Sequence, residues 1–93
     1  PTFTSIIAES GVNVIKGVQV TTGTLTVKES ALFQIPSLSS FGVATATGIN
    51  VNAKGEILVG GTFKCNNAGA QPATGIFSKA GTGSYSWNWG GTW

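Results

Sequence analysis

Apolar and polar residues alternate at a period of two through most of the chain, and this leaves little room for helix. In "TGTLTVKES", Leu25 and Val27 alternate with Thr24, Thr26 and Lys28. In "EILVGGTFKC", Ile57 and Val59 are followed by Phe63 and Cys65 across a glycine pair. In "GVNVIKGVQV", Val12 and Val14 point one way, Lys16–Gly17 makes a turn, and Val18 and Val20 return. Successive side chains of a strand project to opposite faces, so the pattern is that of half-buried strands. Gly and β-branched residues scattered through the same stretches weaken helices and suit strands and turns.

One outline recurs. "AESGVNVIKGVQV" (8–20), "ATATGINVNAKGEILV" (44–59) and "PATGIFSKAGTGSYSW" (72–87) each hold a Gly, then Val or Ile, a short strand, a Lys-Gly or Lys-Ala-Gly turn and a second strand. The first two continue into Gly-Thr strands, "GTLTV" (23–27) and "GTFKC" (61–65). Glycine supplies the positive φ that tight hairpins need. The expected fold is all-β, with little or no helix: a small antiparallel sandwich or barrel of six to eight short strands, built from three hairpins. The offsets between the outlines are unequal, which argues against a regular solenoid. Between the first two units, "ALFQIPSLSSF" (31–41) reads as an apolar loop broken at Pro36 and laid across the domain or a neighbour.

The 93 residues suffice for a single β domain with one modest core. Residues 1–10 read as an N-terminal β arm and residues 88–93 as a C-terminal aromatic arm. Pro1 suits a first residue exposed by removal of an initiator Met, since "PTFTSIIAES" lacks the basic n-region of a signal peptide; leader cleavage is the alternative. No apolar run approaches the ~20 residues of a membrane-crossing helix. Cys65 is the single cysteine. It has no partner for an intrachain disulfide and suits a small buried hydrophobe.

Charge is scarce. Only 9% of residues are Asp, Glu, Lys or Arg, against about 25% in ordinary domains. A free monomer normally keeps a mixed, charged exterior. This exterior is made of Thr, Ser, Asn, Gly and apolar groups, which suits a surface covered by protein partners, self or other. Five spaced lysines without arginine do not form a phosphate-binding patch, so nucleic acid is not an expected partner.

The same inventory bears on catalysis. With no histidine and one cysteine, ordinary zinc sites, Ser-His-Asp triads and Cys-His dyads are excluded. No Asp and three scattered Glu leave no calcium loop. A carboxylate pair of Glu9 and Glu56 across hairpins is the remaining enzymatic option. The expectation is that the protein is not an enzyme and needs no cofactor or metal.

Aromatic residues gather at the C-terminal end, in "SYSWNWGGTW". Tyr85, Trp87 and Trp89 fall at every second position. On a strand they share one face, about 6.8 Å apart. Three readings follow: a lid on the core, a partner interface, or a glycan platform made by Tyr85, Trp87 and Trp89. Trp93 follows a Gly90–Gly91 pair and suits an anchor in a neighbour's pocket.

The segment "ATGINVNAKGEILVGGTF" (46–63) resembles the central stretch of small tailed-phage head-decoration (cement) proteins of the lambda type. Gly48, Ile49, Val51, Ala53, Leu58, Gly61 and Phe63 fill its pattern of strand, short turn, second strand and Gly-x-Phe. The resemblance implies a β-rich, non-enzymatic, homo-oligomeric protein on the outer surface of a capsid. It implies that Thr2–Ala8 pairs with the edge of a capsid sheet. Phe3, Ile6, Phe33, Leu38, Trp89 and Trp93 would fill the interfaces. The functional expectation is a structural subunit of a virion, most simply a bacteriophage capsid decoration or shell protein. The alternatives are a carbohydrate-binding β module and a subunit of an extracellular filament.

Overall fold

The computed structural model describes residues 2–15, 19–44, 48–65, 75–81 and 83–86. Among these the regular elements are strands, with no α-helix. They are β1 (Thr2–Ala8), β2 (Val12–Val14), β3 (Gln19–Val27), β4 (Leu32–Ile35), β5 (Ser40–Val43), β6 (Ile49–Val51), β7 (Glu56–Val59), β8 (Thr62–Cys65), β9 (Ile76–Lys79) and β10 (Ser84–Ser86). Every strand pairing is parallel. One ladder runs β1-β3-β5-β8-β10, with β6 also on β3, and the other runs β2-β4-β7-β9. The chain is a β-solenoid, and this overturns the expected antiparallel sandwich or barrel of three hairpins.

Three walls build each coil. β3 is long enough to belong to two of them. Its first half pairs with β5 (Val20 with Phe41), and its second half pairs with β6 (Leu25 with Ile49). The first wall stacks Val20, Phe41, Phe63 and Tyr85 in one register column. The second stacks Ile6, Leu25 and Ile49. The third stacks Asn13, Phe33, Ile57 and Phe77. Partners in these columns are 19 to 24 positions apart.

The hairpin reading failed for a definable reason. A wall with one face inside shows the same two-residue alternation whether its neighbours run parallel or antiparallel. The similar stretches Gly-Val-Asn-Val and Gly-Ile-Asn-Val are not equivalent, because they form β2 of the third wall and β6 of the second. Nor do β6 and β7, both within the 46–63 segment, pair with each other. The stretch 31–41 is not a loop across the domain. It forms β4, a tight turn and β5, and Phe33, Ile35 and Phe41 are buried. Residues 1–10 contribute β1, which pairs along its length with β3 as part of the first coil.

The corners repeat one device. Ala31 N–H donates to the Lys28 carbonyl, Ser39 N–H to Pro36, and Gly55 N–H to Asn52, at 2.9–3.1 Å. Each is a four-residue turn whose third position has positive φ: Ser30 at 61°, Leu38 at 70° and Lys54 at 61°. That position ordinarily selects Gly or Asn. Where coils pack most closely the residue is small. Gly11, Ala31, Gly55 and Gly75 precede β2, β4, β7 and β9 at one corner, joined by amide-to-carbonyl bonds of 2.8–2.9 Å from Leu32 to Gly11, Glu56 to Ala31 and Ile76 to Gly55. A Cβ on Gly75 would run into the Val51 side chain and the Gly55 carbonyl.

Inside the coils lies one apolar core. Leu25, Val27, Ile35, Phe41, Ile49, Val51, Ile57, Val59, Phe63 and Phe77 are all but completely buried. Each such side chain contributes roughly 1.5–3 kcal/mol through burial. A chain of rings threads the coils, with centroids 5.1 Å apart from Phe33 to Phe41, 5.8 Å from Phe41 to Phe63 and 5.1 Å from Phe63 to Phe77. Cys65 is half-buried and packs against this core.

Candidate interaction surface

The first coil is unlike the others. Among the described residues β1 pairs with β3 alone and β2 with β4 alone, so both strands are sheet edges. Ala8 turns its carbonyl to Lys28 N–H of the next coil, at 2.9 Å. Strand alternation then turns the amides of Ile7 and Ser5 to the open side, whereas Phe3, in register with a Thr22 whose carbonyl faces Ala44 N–H, directs its own at β3. Parallel edges of this kind are templates for further pairing.

Side chains at this end are apolar and poorly covered. Phe3 shares register with the buried Thr22, and Ile6 with the buried Leu25, yet no coil lies beyond them. Phe3 is 46% exposed, Ile7 52%, Val12 68% and Val14 44%. An open hollow of ≈ 470 Å³ is lined by Phe3, Ile6, Asn13, Ile15, Val20 and Phe33, among others. Asn13 takes the register position that Phe33, Ile57 and Phe77 fill in later coils. Its side-chain amide donates to the Ser10 carbonyl at 3.0 Å and the Leu32 carbonyl at 3.2 Å. Putting Asn13 at the inner position turns Val12 and Val14 outward.

Outer faces of the first two walls carry hydroxyls. The Thr2 and Thr21 Oγ1 atoms are 3.0 Å apart, and Ser40 and Thr62 share a register column. A shallow groove of ≈ 460 Å³ there includes Thr2, Gln19, Thr21, Ser40 and Lys64. Leu38, at its turn, is 91% exposed.

The sequence-derived interface residues therefore separate. Phe3 and Ile6 meet at the first-coil end. Leu38 lies in the turn between β4 and β5. Phe33 is buried in the core, although it lines the first-coil hollow. Trp89 and Trp93 lie outside the described residues. Of the glycan positions, Tyr85 shares register with Phe63 on β10, and Trp87 and Trp89 lie outside the described residues. Sequence reasoning missed Ile7, Val12 and Val14. Their alternation was legible, but which side of β2 faces inward is decided by Asn13 and its bonds.

Catalytic geometry is sparse. Glu9 precedes β2 and Glu56 opens β7, with β4 between those strands. The strands β2 and β7 are two interstrand steps apart, about 9–10 Å, and Glu9 lies three positions before Val12, the residue two steps from Glu56 in register. Among the described residues no three His, Cys, Asp or Glu side chains gather as a metal site. Comparison of the chain with family models, curated proteins and solved structures finds no match.

Proposed function

We propose that the protein is a non-enzymatic structural subunit that works by burying apolar surface against protein neighbours. The observation that carries this reading is the first-coil end, where two open parallel edges coincide with Phe3, Ile7, Val12 and Val14, all substantially exposed. Isolated exposed apolar residues are ordinary, but several of them at one end of the coil, along strand edges unpaired among the described residues, mark an interaction site. The scarcity of charge supports the same reading, because such an exterior does little to keep molecules apart.

Light scattering coupled to size exclusion, from about 1 to 200 µM, tests the proposal. Association into a defined species is expected, and a monomer throughout that range would overturn it. The resemblance of residues 46–63 would make the natural neighbour a capsid subunit. Mass spectrometry of purified virions from the source organism tests that setting.

A further inference from the structure

We draw no further inference here: the strongest candidate, the open apolar hollow at the first-coil end lined by Phe3, Ile6, Ile15 and Val20 beside the β1 and β2 edges, belongs to the surface already described, and nothing in the structure shows what covers it.

Discussion

Phe63 lies one coil beyond Phe41 at the same register, with ring centroids 5.8 Å apart. Phe77 meets Phe63 edge-on at 5.1 Å from the neighbouring wall. Phe63 therefore links two coils and two walls at once. Phe63→Ala should cost about 3–5 kcal/mol. That is a large share of the roughly 5–15 kcal/mol that holds a domain folded. Phe63→Leu, which keeps most of the volume, should cost under about 1.5 kcal/mol. Urea unfolding followed by circular dichroism measures both. Equal losses in the two variants would show that the ring is not the joint described.

Leu38 combines near-complete exposure with a φ of 70°. A left-handed conformation costs an L-residue about 1–2 kcal/mol. The added chain entropy of glycine returns roughly 0.5–1 kcal/mol of that to the unfolded state. Leu38→Gly should therefore raise stability by about 0.5–1 kcal/mol and the midpoint of thermal unfolding by a few degrees. Calorimetry gives the answer, and a fall in the midpoint would mean that the leucine makes a stabilising contact.

Much of the inner face was legible in the chain. Leu25, Val27, Ile57, Val59 and Phe63 alternate with polar neighbours, and all are buried. Strand direction was not legible, because Leu25 faces inward identically in a hairpin or a coil. The true recurrence pairs Val20 with Phe41 and Phe41 with Phe63. It conserves hydrophobic character and not identity, and its spacing drifts as corners lengthen or shorten. The eye was drawn instead to Gly11–Val14 and Gly48–Val51, which look alike but stand on different walls. At the interaction surface, Phe3 and Ile6 could be named from their aromatic and aliphatic character. Val12 and Val14 could not, because the inward placement of Asn13 rests on carbonyls supplied by Ser10 and Leu32.

The parallel ladder also governs how the molecule forms. Val27 bonds to Asn52 and Ala8 to Lys28, so even the shortest rung requires some twenty residues of free chain to close on themselves. Among the described residues no two-residue hairpin is available to nucleate the process. Proteins dominated by such distant pairings acquire structure in milliseconds to seconds rather than microseconds. Until the second coil settles, the first has only itself for company, and crowding at that moment favours the wrong neighbour.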